Sequence, residues 1–92
     1  MAAECWKLVI TGRVQGVYYR ASTCERAQAL GVVGQVRNLP SGQVEVIAQG
    51  PAEDLQALLD WCWQGPPAAQ VTAVEVDRLP AMGPYTDFIT VR

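Results

Sequence analysis

The sequence predicts an α/β (α+β) sandwich in which an antiparallel sheet carries two helices on one face, and three observations lead there. Several short segments alternate apolar and polar residues, two longer ones repeat apolar residues at threes and fours, and Gly and Pro clusters punctuate them. Their order is βαββαβ with a short fifth strand at the C-terminus, the sequence of elements of a split βαβ arrangement.

The first strand runs from Trp6 to Thr11, with Trp6, Leu8 and Ile10 on one face and Lys7, Val9 and Thr11 on the other. Gly12 and Gly16 break the alternation, and Ser22-Thr23-Cys24-Glu25 has the form of a capping box, so a helix is expected to begin between Arg20 and Ser22. Ala21, Cys24, Ala27 and Leu30 form its expected apolar face, and Gly31 its stop. Val32 to Asn38 and Gln43 to Gln49 flank the turn Leu39-Pro40-Ser41-Gly42 and read as a β-hairpin.

A second helix is expected after Gly50, with Pro51 at its first position and Glu53 and Asp54 in a first turn where the helix dipole favours negative charge. Leu55, Leu58, Leu59 and Cys62 fall at i, i+3, i+4 and i+7, and Gly65-Pro66-Pro67 ends the run. Val71 to Asp77 alternates as a fourth strand. After the connection 79–84, the residues from Tyr85 to Val91 suit a short fifth one.

Ninety-two residues, half of them hydrophobic and 17% charged, make one globular domain spanning 1–92. Seven Lys and Arg against nine Asp and Glu give a net charge of −2, which supplies no basic footprint for nucleic acid or an anionic membrane. The start, Met1 to Lys7, lacks the pattern of a secretory signal, so the expected location is cytoplasmic. Cys5, Cys24 and Cys62 are too few and too widely spaced for a disulfide framework or a zinc site, and reduced thiols are expected. Histidine is absent, so any chemistry must proceed without the usual general base at neutral pH.

In a split βαβ unit the third strand lies between the first two, which brings the loop after the first strand and the end of the second to one edge. Residues 14–20 and Asn38 are thereby expected to converge. A glycine loop entering a helix N-terminus turns backbone N–H groups outward and favours an anion, and the guanidinium of Arg20 could complete that cradle. Spacing alone leaves a second reading open, in which the glycines merely permit a tight turn and Arg20 makes a surface ion pair. Asn38 likewise either bonds nearby backbone before its turn or orients a water beside a bound phosphoryl group.

The residues themselves narrow the choice. Ile10-x-Gly12-x-Val14-Gln15-Gly16-Val17-x-Tyr19-Arg20 resembles the first signature of the acylphosphatase family. Gly34-Gln35-Val36-Arg37-Asn38, then three residues, Gly42-x-Val44, five residues and Gly50 resemble its strand and hairpin segment. Gly65-Pro66-Pro67-Ala68 followed by Val71 and Val74 is similar to its downstream half, so the resemblance covers nearly the whole chain.

That resemblance implies a ferredoxin-like sandwich and a small cytosolic hydrolase acting on acid anhydrides, which splits an acyl phosphate into a carboxylate and inorganic phosphate without metal or cofactor. It puts Arg20 at the phosphate-binding position and Asn38 at the position that orients the attacking water. The loop Gln15, Gly16, Val17, Tyr18, Tyr19 and Arg20 would lend backbone amides to the phosphate. Gln35 departs from the pattern, standing where the family prefers an aromatic residue, and alternation turns it away from the face of Gly34.

Independent of the family, an acyl phosphate expels a carboxylate whose conjugate acid has a pKa near ~4, so no general acid is required. A loose phosphoryl transition state carries its charge on equatorial oxygens, which amides and an arginine can stabilise. The expected partners are a small-molecule acyl phosphate and inorganic phosphate, with no nucleic acid, no membrane and a monomeric state. Arg13 and Arg37 are candidates for raising the local positive potential. The alternative is a non-catalytic phosphate-binding or regulatory ferredoxin-like module, since fold alone does not assign function. Use of carbamoyl phosphate ranks third.

Overall fold

In the computed structural model, which describes residues 3–80 and 83–91, the first strand reaches well beyond its alternating core. β1 spans Ala3–Arg13, α1 Tyr19–Leu30, β2 Val33–Asn38, β3 Val44–Pro51, α2 Ala52–Gln64, β4 Gln70–Leu79 and β5 Phe88–Val91. The expected turn 79–84 has its positions 81 and 82 outside the described residues, as are 1, 2 and 92 of the expected domain.

The sheet order is β4-β1-β3-β2-β5, so β3 lies between β1 and β2 as the split arrangement requires. β1, β2, β3 and β4 pair antiparallel, whereas β5 adds parallel to β2, with Val36 opposite Thr90 and Arg37 opposite Val91. The sheet is therefore mixed, and the expectation of a purely antiparallel one holds only for its first four strands. A parallel partner for β2 needs a crossover, and the chain supplies it through β3, α2 and β4.

Alternation decides which face meets the helices. Trp6, Leu8 and Ile10 on β1, Val36 on β2 and Val44, Val46 and Ala48 on β3 are buried there, against Tyr19 and Ala27 of α1 and Leu55, Leu58 and Cys62 of α2. Each fully buried Leu, Ile or Val contributes on the order of 1.5–3 kcal/mol of hydrophobic free energy. Gln35 faces the other side of the sheet, opposite Ile47 and Ile89, as alternation anticipated. Glu45 lies on that side too but is buried, and accepts a 2.9 Å hydrogen bond from Arg37 Nε.

Both helices depart from their expected starts. α1 begins at Tyr19, with Tyr18 as a left-handed N-cap (φ 63°, ψ 24°) and no side-chain cap, so Ser22 and Glu25 fall inside the helix and no capping box forms. Its inward face is Tyr19, Thr23 and Ala27, while Ala21 is exposed. Thr23 tolerates burial because its Oγ1 donates to the Tyr19 carbonyl at 2.8 Å. Gly31 closes the helix by donating to the carbonyls of Ala27 and Gln28. Pro51 ends β3 as the N-cap of α2 instead of opening the helix.

At the far end of β1 the pairing with β4 shifts register between Thr11 and Gly12. A Cβ at Gly12, whose φ is 133°, would collide with the Gln70 carbonyl oxygen, so glycine alone lets β4 pass this close. The chain leaves the sheet here and enters the loop that precedes α1. No helix among the described residues is long and apolar enough to cross a membrane.

Candidate active site

The loop 14–18 is held from both ends. Val14 and Val17 are buried in the core, while Gly16 (φ 74°) and Tyr18 take left-handed backbone conformations. A left-handed residue among ordinary ones turns its N–H toward those of its neighbours, which is how backbone concavities bind anions. Such a conformation costs a non-glycine residue about 1–3 kcal/mol, and Tyr18 is the one non-glycine among the described residues that adopts it.

The first intrahelical bond of α1 runs from the Ser22 N–H to the Tyr18 carbonyl, at 3.0 Å. Helix geometry therefore leaves the amides of Tyr18, Tyr19, Arg20 and Ala21 without helical partners, at the end where the macrodipole is positive. They border a cavity of about 430 Å³ whose walls include Gly16, Tyr18, Arg20, Asn38 and Thr90. Arg20 and Asn38, from α1 and the last residue of β2, thus meet at one cavity, as the strand order dictates.

Arg20 Nη1 donates to the Val91 carbonyl at 3.3 Å, so β5 supports the guanidinium from beside β2. Asn38 presents a different situation, because its Oδ1 is buried and has no hydrogen-bond partner among the described residues. A buried acceptor left unmet costs roughly 1–3 kcal/mol, and here it belongs to a side chain on the cavity wall. Tyr19 is buried, stacks obliquely on Trp61 at 5.7 Å between centroids, and donates through Oη to the Cys62 carbonyl at 2.6 Å. Burial is the main reason its hydroxyl is pushed above the ordinary tyrosine range.

The other singled-out residues divide. Tyr18 is 84% exposed at the rim, and Gln15 is turned to the hairpin, where Nε2 donates to two backbone carbonyls. Arg37 is paired with Glu45 across the sheet's helix-free face, and Gln35 shares that face, so neither belongs to the cavity wall. The supposed contribution of Arg37 to a phosphate-attracting potential is therefore corrected: its charge is met by a carboxylate. Thr90 and the Val91 carbonyl went unnoticed in the sequence, which carries no signal that its fifth strand lies beside β2.

A loop with two left-handed residues, the N-terminus of α1, one arginine and one unpartnered asparagine oxygen thus meet at a single cavity of a small ferredoxin-like α/β sandwich. The acylphosphatase family model matches residues 6–90, and the chain belongs to that family. It is 50% identical over 90 residues to the acylphosphatase of Marinobacter nauticus, covering 98% of each chain. Among solved structures it resembles an acylphosphatase from Coxiella burnetii, with 35% identity, a TM-score of 0.92 and coverage of 97% and 93% of the two chains. It likewise resembles the Bacillus subtilis acylphosphatase, at 29% identity and a TM-score of 0.93, covering 97% and 99%.

Proposed function

We propose that this chain hydrolyses the carboxyl–phosphate bond of acyl phosphates, and that Arg20 and Asn38 carry the reaction. The phosphoryl group lies against the amides of residues 16–21, with the Arg20 fork on its oxygens. Asn38 Oδ1 accepts a hydrogen bond from a water and aims it at phosphorus, opposite the leaving carboxylate. The carboxylate leaves unprotonated, and the amides and guanidinium offset the charge on the equatorial oxygens. Among the described residues no Asp or Glu lines the cavity, so the water's proton passes to a phosphate oxygen of the substrate. The reading needs neither metal nor cofactor.

The observation that carries it is the buried, unpartnered Oδ1 of Asn38 on the same cavity wall as Arg20. One buried core shared by β1, α1, β2, β3, α2 and β5, with Val71 and Val74 of β4 packed against it, supports reading the described residues as one domain. The exposed large apolar side chains among the described residues, Tyr18, Trp63, Val76 and Ile89, are scattered over the loop, α2, β4 and β5, which supports a monomer. Free thiols at Cys5, Cys24 and Cys62 suit a reducing, cytoplasmic setting.

The test is phosphate release from benzoyl phosphate with EDTA present, in wild type and in folded Arg20→Ala and Asn38→Ala. Turnover in wild type, lost phosphate binding in Arg20→Ala and retained binding with slow turnover in Asn38→Ala are expected. A folded wild type that binds phosphate and releases none would leave a binding module as the account.

A further inference from the structure

Gln15 belongs to the loop that borders the cavity, yet its side chain is committed elsewhere. Nε2 donates to the carbonyl of Leu39 at 2.8 Å and to that of Gln43 at 2.9 Å, which uses both hydrogens of the amide. The same two residues close the hairpin turn, since the Leu39 N–H donates to the Gln43 carbonyl at 2.8 Å and the Leu39 carbonyl accepts from Gly42 at 3.1 Å. Asn38 immediately precedes that turn. One amide group thus ties the start of the loop to both sides of the turn that follows Asn38.

We infer that Gln15 is a positioning residue for hydrolysis: by clamping the loop to the hairpin it sets the distance between the phosphate cradle and Asn38 Oδ1. The inference rests on the proposed function, because it concerns the alignment of phosphoryl group and water. Cradle and asparagine come from separate elements with a whole helix between them in sequence, so their spacing needs a direct tether. Misplacement of a reacting group by about 1 Å lowers turnover by as much as ~10²-fold. Gln43 offers an internal comparison. Its side-chain Nε2 donates to Thr11 Oγ1 at 2.9 Å, tying the turn to β1, and not to the loop.

The experiment compares Gln15→Ala, Gln15→Glu and Gln43→Ala, the last keeping the backbone carbonyl that Gln15 uses. Steady-state turnover of benzoyl phosphate, inhibition by inorganic phosphate and thermal unfolding are measured, with rates taken well below each melting temperature. Gln15→Ala is expected to lose roughly 10- to 100-fold in kcat while phosphate inhibits as in wild type, because the cradle survives and its alignment does not. Gln43→Ala is expected to melt earlier without that loss. Gln15→Glu adds a readout that a packing role would not move. Its carboxylate faces two carbonyl oxygens and cannot donate, whereas its protonated form can, so its kcat relative to wild type should rise as pH falls from about 7.5 toward the carboxyl pKa, ordinarily near 4.3 and raised at this site. Wild-type turnover with an undiminished kcat in Gln15→Ala, or equal losses in Gln15→Ala and Gln43→Ala, overturns the inference alone. No turnover in wild type overturns both it and the proposed function.

Discussion

Tyr19, the first residue of α1, caps the last turn of α2: its buried Oη donates to the Cys62 carbonyl at 2.6 Å. That carbonyl is one of the four that any helix leaves unpaired at its C-terminus. The contact joins the two helices behind the cavity and fixes the residue next to Arg20. Tyr19→Phe keeps the ring against Trp61 and deletes the donor, leaving a buried carbonyl unmet. Unfolding in urea should show a loss of about 1–3 kcal/mol. An unchanged midpoint would mean that water replaces the hydroxyl.

Burial also sets how this pair responds to alkali. Desolvation pushes the Cys62 thiol from 9.0 up to about 12 and raises the Tyr19 hydroxyl above its ordinary 10.0. In the unfolded chain both groups lose protons sooner, so the folded state binds more protons above pH 9.0 and stability must fall as pH rises. The contribution is complete below the unfolded values and declines toward the folded ones, by about 1.4 kcal/mol per pH unit for each group. Urea midpoints measured above pH 10.0 should decline less steeply in Tyr19→Phe than in wild type. Parallel declines would contradict the assignment for Tyr19.

Arg20 needs its fork. Nη1 reaches the Val91 carbonyl, and the guanidinium makes no other hydrogen bond among the described residues, which in the proposed reaction leaves donors for two phosphate oxygens. An ammonium is a point donor on a narrower tip and cannot do both. Arg20→Lys should therefore stay folded and weaken inhibition by inorganic phosphate on the order of tenfold or more, a bidentate charged contact being worth roughly 1.5–3 kcal/mol. Equal inhibition constants for the two forms would show that charge alone suffices.

Tyr18 carries strain without visible return in packing, being 84% exposed in a left-handed conformation. Asparagine adopts that conformation more readily. Tyr18→Asn should raise stability by about 1 kcal/mol while leaving phosphate inhibition intact, because the cradle proposed above uses the backbone N–H and not the side chain. Calorimetry and an inhibition assay together check this. Loss of phosphate affinity would assign the phenol ring a part in binding.

Much of this arrangement can be read from the residues. Period two in Trp6, Leu8 and Ile10 and the i, i+3, i+7 spacing of Leu55, Leu58 and Cys62 give the elements their faces, and the strand order of a split βαβ unit brings Arg20 and Asn38 together. The start of α1 was misread because tertiary burial of Tyr19 outweighs the local Ser22 and Glu25 pattern. Tyr18 gave no sign of left-handed backbone, since that conformation is rare outside glycine. The parallel docking of β5 depends on where a long crossover lands, which no local pattern encodes, and with it went Thr90 and the seat of Arg20.

That seat has a consequence for the order in which the protein comes into being. Arg20 is synthesised well before the carbonyl that steadies it, which comes 71 positions later. Long-range contacts of this kind form slowly and only when both partners are present. Until β5 is made and docks, a nascent chain has nothing for the arginine to lean on, so the grip on phosphate proposed for it should appear only then. Competence for substrate would then report the docking of β5.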